Sequence, residues 1–279
     1  MKKISRRSFL AAAGLSVAAL ALTACGGSSA STASSVASSA AASEAASTSA
    51  AAGELTTVEA GKLTMATNAA FPPYEMTTDA GEFEGIDIET AQAIADKLGL
   101  ELQIDDMDFD AALLSVQQGK ADIVMAGVTV TDERKAVMDF SDSYATGIQS
   151  IIVPEGSDIA SPDDLAGKKI GTQRGTTGYI YCSDDFGDEN VVAYDDGLTA
   201  VQALNNGQVD AVVIDNAPAQ EFIAANPGLK ILDTSYAEED YAIGMAKGSS
   251  LEDAVNAALK ELKADGTLQY IVDKYITAE

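Results

Sequence analysis

Two charged residues occupy positions where a folded chain would present them to a ligand. Arg134 follows Thr131 and Asp132, either of which could cap a helix that begins near the arginine. Asp215 ends the apolar run 211–214, and open α/β sheets bind ligands at the carboxyl ends of their strands. The planar guanidinium group suits a carboxylate, because it donates two parallel hydrogen bonds. Taken alone, Arg134 is more typical of a surface charge and Asp215 of an ordinary strand-end cap, so the two are candidates for a ligand site only if they occur together in one.

A turn rich in glycine and threonine is a third candidate. Gly175-Thr176-Thr177-Gly178 stands between a predicted strand and a predicted helix. The first N–H groups of a helix have no acceptor within that helix, so such a turn suits an anion. Because Gly and Thr are common in turns, this motif alone is only a weak indication of a binding site.

The composition excludes the commonest catalytic sites. The chain has no His and only two Cys, so a Ser-His-Asp triad, a Cys-His pair and a His-ligated zinc are all absent. Cys182 is predicted to be a small apolar side chain on a helix, with a reactive surface thiol as the alternative. The acidic run 184–189 lacks the EF-hand spacing and indicates a solvated loop. We expect no cofactor and no metal.

The N-terminus has the features of an export signal. Four Lys and Arg residues precede an apolar stretch at 10–24, which is too short to span a bilayer as a helix. The segment SRRSFL at 5–10 resembles the twin-arginine motif, with an ordinary secretory start as the alternative. LTAC at 22–25 resembles the lipobox, in which the Cys is diacylated and becomes the new N-terminus. We therefore expect residues 1–24 to be removed and Cys25 to anchor the protein to the extracytoplasmic face of the cell membrane.

The segment 25–53 is predicted to be a flexible tether. It consists of small residues with Glu44 as its only charge, so it has almost nothing to bury. The chain has 17 Lys and Arg, of which the four before Cys25 would be lost, leaving 13 against 43 Asp and Glu. A net charge of about −30 makes nucleic acid an implausible partner. The roughly 220 residues that follow the tether could build two modest cores.

Strand-like and helix-like patterns alternate along the rest of the chain, which predicts an α/β fold. A strand at 62–66 precedes a helix at 87–98, where Gly99 provides the left-handed cap. Leu100, Leu102 and Ile104 alternate with polar residues, as in a half-buried strand. A second helix at 109–116 ends near Gly119 and leads into the apolar run 123–126.

One unit of this pattern recurs 88 residues later. The apolar, glycine and aspartate positions of 113–126 reappear in 201–214, which suggests two lobes of like topology. Similar units within one larger sheet are the alternative. The segment 251–275 is amphipathic, is broken at Gly266, and could pack back on the first lobe.

Several segments resemble the polar amino acid-binding proteins, family 3 of the bacterial extracellular solute-binding proteins. GIDIETAQAIADKLG at 85–99 resembles the signature helix of that family, apart from Thr90, where the family usually has an apolar residue. AGVTVTDER at 126–134, followed by DFS at 139–141, resembles the ligand-binding segment. NAAFPPY at 68–74 resembles the aromatic loop of the first lobe.

The resemblance covers nearly all of residues 61–276 and implies a two-lobe, periplasmic-binding-protein-like fold of type II. Lobe 1 would comprise 54–147 and 244–279, and lobe 2 would comprise 148–243 with the hinge segments. The two crossings would lie near 147–152 and 239–243.

The same resemblance assigns roles to further residues in a site for a free α-amino acid. Thr129 and the backbone of Gly127, which follows Ala126, would hold the ammonium group together with Asp215. Thr176 and Thr177 would hold the carboxylate together with Arg134. The remaining positions would surround the ligand: Phe71 and Phe109 as aromatic walls, and Asn68, Gln173 and Ile214 facing its side chain.

The implied function is the substrate-binding component of an ABC importer, which delivers the ligand to a permease with its ATPase. Asn68, Gln173 and Ile214, which would face the ligand's side chain, carry no charge, and this predicts a neutral polar ligand such as glutamine or cystine. Arg174 is the nearest cation and is expected to point away from the cleft. We expect a monomer and no enzyme activity. The alternatives are a dehydratase on the same fold, disfavoured by the lack of His and of an unpaired acid in the predicted cleft, and a ligand-sensing module.

The lipobox predicts the effect of one substitution. Cys25→Ala should release the protein from the membrane in soluble form, because no other segment of the sequence is long and apolar enough to hold it there. Fractionation after a salt wash measures this, with Cys182→Ala as the control that should stay in the membrane fraction. Retention of the Cys25→Ala variant by membranes would contradict the lipoprotein assignment.

Overall fold

The computed structural model describes residues 55–276. The expectations for 1–24 and 25–53, including lipidation at Cys25, lie outside these residues. Within the described range the chain forms mixed α/β structure on two main sheets, and no helix there is long and apolar enough to cross a membrane.

The first main sheet has five strands, which lie in the order β5-β1-β6-β14-β7. They are β1 (Lys62–Thr67), β5 (Glu101–Asp106), β6 (Ile123–Val124), β7 (Met138–Phe140) and β14 (Gly244–Ala246). β1 runs parallel to β5 and β6, whereas β14 is antiparallel to β6 and β7. The sheet thus takes its last strand from the C-terminal part of the chain, and we call the body around it lobe 1.

Five helices and a small sheet complete lobe 1. The helices are α1 (Ile86–Leu98), α2 (Phe109–Gln117), α3 (Asp132–Val137), α7 (Glu252–Ala264) and α8 (Thr267–Tyr275). The small antiparallel sheet consists of β2 (Ala70–Phe71), β3 (Glu75–Thr77) and β4 (Phe83–Glu84).

The second main sheet forms lobe 2. Its strands are β8 (Ala145–Pro154), β9 (Ile170–Gln173), β10 (Val191–Tyr194), β11 (Ala211–Asp215), β12 (Leu229–Ile231) and β13 (Ala237–Tyr241). Its helices are α4 (Thr177–Phe186), α5 (Gly197–Asn205) and α6 (Asn216–Ala225), with short 3-10 turns at Pro162–Leu165 and Asp188–Asn190.

Two strands cross between the lobes side by side. β8 leaves lobe 1 and β13 returns to it, paired antiparallel from Gln149 opposite Ala237 to Ala145 opposite Tyr241. Beside Gly147 lies the Tyr241 ring, so close that a Cβ on Gly147 would be 2.4 Å from it. The pairing of β13 with β8 begins at Ala237, and the predicted crossing near 239–243 overlaps its second half.

The 88-residue repeat corresponds to a repeated hydrogen-bonding pattern. The N–H of Asp122 donates to the Thr64 carbonyl, and the Asp122 carboxylate accepts the Thr64 N–H at 2.8 Å. Asp210 makes the same two contacts with Lys169, its carboxylate accepting the N–H at 2.8 Å. Each Asp thus ties a helix–strand connection to a neighbouring parallel strand of its own lobe, β1 at Thr64 and the start of β9 at Lys169.

The predicted helices are confirmed with small shifts of their ends. Gly99 ends α1 in the left-handed conformation, with φ 68°. Gly266, with φ 82°, separates α7 from α8, and the apolar faces of both helices join the core around α1. Cys182 is fully buried in α4, and burial raises the pKa of its thiol to about 12, so this thiol is a core side chain. Within the apolar run 123–126, Ile123–Val124 forms strand β6.

Gly85 fixes the start of α1 against the loop that precedes β3. Its φ is 131°, and an added Cβ would lie 2.2 Å from the Tyr74 carbonyl oxygen. The N–H of Asp87 donates to that same carbonyl at 2.8 Å. Only glycine permits this approach, so Gly85 sets the distance between β3 and α1.

We expect Gly85→Ala to lower the free energy of unfolding by about 3 kcal/mol, because it combines backbone strain with a backbone clash. The matched control is Gly81→Ala, which also has positive φ (81°) but has no atom within 4 Å of an added Cβ. The control should lose about 1 kcal/mol, the cost of the left-handed backbone alone. Urea unfolding measures both, and equal losses would contradict the role given to the close approach.

Candidate functional site

A cavity of about 430 Å³ lies between the two lobes. All eleven residues singled out from the sequence line it: Asn68, Phe71, Phe109, Ala126, Gly127, Thr129, Arg134, Gln173, Thr176, Thr177 and Asp215. Ile214 lines it too, together with four residues that sequence reasoning did not assign to the site: Glu75, Gln149, Val213 and Tyr241.

Arg134 lies in the first turn of α3 and is only 8% exposed. Thr131 caps the helix by accepting the Arg134 N–H at 3.2 Å. Of the two residues predicted as possible caps, Thr131 and Asp132, the structure thus uses Thr131. The guanidinium donates to the Thr129 carbonyl at 2.8 Å and, across the cleft, to the Gly175 carbonyl at 3.1 Å. It also lies 5.4 Å from the centre of the Phe109 ring. Burial lowers the pKa of Arg134, but an arginine remains protonated in proteins. The site therefore holds a rigid cation.

Asp215 ends β11 and caps α6, as its position after an apolar strand predicted. Its carboxylate accepts hydrogen bonds from the N–H groups of Ala217 and Ile148 at 3.0 and 2.7 Å, and from the Tyr241 hydroxyl at 3.0 Å. Burial raises the pKa of Asp215 to about 6, and these three donors oppose the shift. At neutral pH this carboxylate is mostly ionised.

Glu239, from β13, stands behind the cavity and was not assigned a role from the sequence. One of its carboxylate oxygens, Oε2, accepts from the Thr129 and Thr177 hydroxyls at 3.0 and 2.9 Å and from the Gln149 amide at 3.0 Å. The Tyr181 hydroxyl also contacts the carboxylate. Glu239 thereby links lobe 1, lobe 2 and the crossing strand β8, and fixes the orientation of two hydroxyls that line the cavity.

The opposite end of the cavity carries neutral polar groups. The Gln173 amide donates to the Asn68 Oδ1 across the cleft at 2.8 Å, while the Asn68 amide donates to the Met107 carbonyl at 3.0 Å. Arg174 does not line the cavity, since its side chain is half exposed and pairs with Asp195 at 3.4 Å. The two amides thus supply uncharged donors and acceptors at this end.

Aromatic rings form part of the wall. Phe71 stacks on Tyr74 at 5.8 Å, and Tyr74 meets the edge of Tyr241 at 5.5 Å. Gly127 faces this wall with φ 55°, and an added Cβ would lie 2.9 Å from the Phe71 ring. A side chain at Gly127 would displace the ring from the cavity.

The turn at 175–178 takes the predicted form. β9 ends at Gln173 and α4 begins at Thr177, with the Thr176 hydroxyl capping the helix by accepting the Tyr179 N–H at 3.3 Å. The free N–H groups of a helix start therefore lie at the cavity wall. The Asp110 carboxylate packs against Gly175 from lobe 1, where a Cβ would lie 1.6 Å from its Oδ1.

The expectation that the cleft lacks an unpaired acid is wrong. Glu75 lines the cavity and is fully buried, and no donor among residues 55–276 reaches either of its carboxylate oxygens. Sequence reasoning missed it because Glu75 directly follows the aromatic loop, in a polar stretch that gives no sign of burial. Within the described residues, no group of three or more His, Cys, Asp or Glu side chains could hold a metal ion.

Comparison with known proteins identifies the family. Residues 63–278 match the family described as bacterial extracellular solute-binding proteins, family 3. The chain belongs to this family. Its type II periplasmic-binding-protein fold, predicted from the resemblance, is thereby confirmed.

The relatives are amino acid-binding proteins of ABC importers. The L-cystine-binding protein TcyJ of Escherichia coli K12 is 33% identical over 226 residues, covering 79% of this chain and 85% of TcyJ. The ABC transporter glutamine-binding protein GlnH of Bacillus subtilis is 34% identical over 202 residues, covering 71% of this chain and 74% of GlnH. An ancestral arginine-binding protein solved with glutamine is 41% identical, has a TM-score of 0.75, and the match covers 78% of this chain and 99% of that one. An ancestral arginine-binding protein solved with arginine is 42% identical, has a TM-score of 0.74, and the match covers 77% of this chain and 98% of that one.

Proposed function

We propose that this protein binds a free α-amino acid in the cleft between its lobes and delivers it to the permease of an ABC importer. One observation carries the proposal: Arg134 of lobe 1 and Asp215 of lobe 2 are both buried and line the same cavity. A zwitterion needs a cation for its carboxylate and an anion for its ammonium group, with water excluded from both. The arrangement supports the roles given to Thr176 and Thr177 at the carboxylate, and to Thr129 and the Gly127 carbonyl at the ammonium group.

The bound ligand closes the cleft by linking the two lobes through its charged ends. Closing desolvates Arg134 and Asp215, and a buried charge that lacks its partner is costly. A zwitterion supplies both partners at once and so shifts the population toward the closed form. The paired crossing strands β8 and β13 are suited to act as the hinge, because they connect the lobes at one edge only.

A neutral polar amino acid, glutamine or cystine, is the ligand that we propose. Asn68 and Gln173 satisfy donors and acceptors of an uncharged side chain without leaving a buried charge unpaired. The names of the relatives include both of these ligands and also arginine and histidine, so kinship alone does not choose among them. The choice rests on the uncharged end of the cavity.

We propose that the protein works as a monomer, held on the extracytoplasmic face of the cell membrane by lipid on Cys25. The tether at 25–53 would let the lobes reach the permease. The acidic surface inferred from the composition would keep the domain soluble beside the membrane.

Arg134→Ala should abolish tight amino acid binding while the ligand-free fold survives. Removing one partner of a buried charged pair costs about 2–5 kcal/mol, so the Kd should rise about 100-fold or more. Calorimetric titration with the standard L-amino acids and cystine measures this, after unfolding and refolding have removed any ligand carried through purification.

The matched control is Lys135→Ala, which removes an exposed cation from the same helix. It should bind like the unaltered protein, and the ligand-free melting temperatures of all three should agree within a few degrees. Tight binding by Arg134→Ala would refute the carboxylate assignment. If none of the amino acids bound to the unaltered protein, the proposed function itself would be wrong.

Asn68→Asp should shift the preference toward basic ligands. It places an anion where the distal cation of arginine or lysine would lie, so the affinity for arginine should rise about tenfold relative to glutamine. Asn206→Asp, which adds the same charge at an exposed position, is the control. Competition titration decides the ligand class. If arginine, lysine or glutamate bound to the unaltered protein more tightly than every neutral amino acid, the proposal of a neutral polar ligand would be wrong.

A further inference from the structure

Glu75 is a ligand-facing acid for which the amino acid site described above has no role. It begins β3, directly after Tyr74, and its side chain is fully buried at the cavity wall. Neither of its oxygens accepts a hydrogen bond from a donor within residues 55–276. A buried carboxylate without donors is costly, so this group requires a proton or a cation.

Asp87 is the polar group that Glu75 meets. Asp87 lies in the first turn of α1, and its Oδ2 accepts the Gly127 N–H at 3.0 Å and the Tyr144 hydroxyl at 2.7 Å. No donor of the described residues reaches its Oδ1, and the two carboxyl groups lie close enough for the charge of Asp87 to act on Glu75. Both are acceptors when ionised, so the contact requires one shared proton.

The proton is held most strongly on Glu75. Burial raises the pKa of Glu75 well above its usual value, and the charge of Asp87 adds to the shift. Burial also raises the pKa of Asp87 to about 6, where the bonds from Gly127 and Tyr144 oppose it. Without a ligand, Glu75 is therefore the member of the pair that keeps its proton to the higher pH.

The surroundings of the pair are acidic. The other titratable groups that face it are Asp106, Asp215, Tyr74 and Tyr144. Among the cavity-lining residues that the structure describes, Arg134 is the single cation. It already donates to two carbonyls and lies beside Glu239. A ligand cation entering near Asp215 would thus meet an excess of acid.

We propose that Glu75 is an additional subsite for the cationic group of the ligand, and that ligand entry displaces the proton which Glu75 shares with Asp87. The inference rests on the proposed function, since it needs an amino acid in the cleft. In this step the O–H bond of Glu75 breaks, the carboxylate keeps the electron pair, and the proton passes to the buffer. The ammonium group, still protonated, supplies the positive charge that replaces the proton.

The sign of the pH dependence follows by linkage. The ligand cation lowers the pKa of the pair, so binding releases a proton between the pKa in the complex and the pKa in the free protein. In that window the Kd falls as pH rises, by up to about tenfold per pH unit. A Glu75 that only donates a structural hydrogen bond would keep its proton and give no such slope.

The test is a calorimetric proton count with the full mature chain at pH 7. L-glutamine is titrated in phosphate and in Tris, whose ionisation enthalpies differ, so the difference in apparent enthalpy gives the protons released. If another standard amino acid binds more tightly in the screen above, it replaces glutamine. We expect about one proton per ligand. Asp87 and Asp215, each with a pKa of about 6, can together account for only about a fifth of a proton at this pH.

Two variants assign the source of the proton. Glu75→Gln keeps a donor toward Asp87, so it should fold, but its release should fall to the small contribution of Asp87 and Asp215, and its Kd should lose most of the pH slope. Glu82→Gln, an exposed acid in the turn before β4, should match the unaltered protein.

The outcomes separate the two hypotheses. Binding to the unaltered protein without proton release would overturn the inference and leave the amino acid-binding function standing, even if Glu75→Gln failed to fold. Unchanged release by Glu75→Gln would also overturn it, because the proton would come from elsewhere. An absence of binding by every amino acid would refute the proposed function and this inference with it.

Discussion

The Oε2 atom of Glu239 is the point on which the closed arrangement of the two lobes depends. It accepts from Thr129 of lobe 1, from Thr177 of lobe 2 and from Gln149 of the crossing strand β8. Three donors satisfy this buried oxygen, and each donor that moved away would leave part of its hydrogen bonding unmet. Opening the cleft breaks at least one of these contacts. Glu239 also adds a negative charge beside Arg134.

Much of the fold and part of the site could be predicted from local pattern. The helical spacing of 87–98 and the left-handed glycine at 99 are properties of a few neighbouring residues, and the structure keeps both. Arg134 and Asp215 could be placed because a helix start and a strand end fix where a side chain projects. Asn68 and Gln173 could be assigned to the site only through the resemblance to the family, because an Asn or a Gln alone does not indicate a binding site.

What could not be predicted depends on contacts between distant segments. Glu239 lies in the acidic stretch EED, and only its pairing with β8 turns it inward while Glu238 and Asp240 stay exposed. An alternating burial pattern was the available signal, since Tyr241 faces the same side two residues later. Glu75 and Asp87 are 12 positions apart, and their contact requires β3 to lie against the start of α1. Nothing in either local sequence indicates that the two acids meet.

The fold itself brings these acids together, and Gly85 is the residue that allows it. Its positive φ and its approach to the Tyr74 carbonyl place the start of α1 directly behind β3. Asp87 then reaches the Gly127 N–H, which holds the loop beneath the Phe71 ring, and presents its second oxygen to Glu75. One backbone constraint thus sets both the shape of the aromatic wall and the protonation of the acid that lines it. A cleft built this way couples its charge to its occupancy, because the cation that a ligand brings and the proton that Glu75 holds compete for the same buried carboxylate.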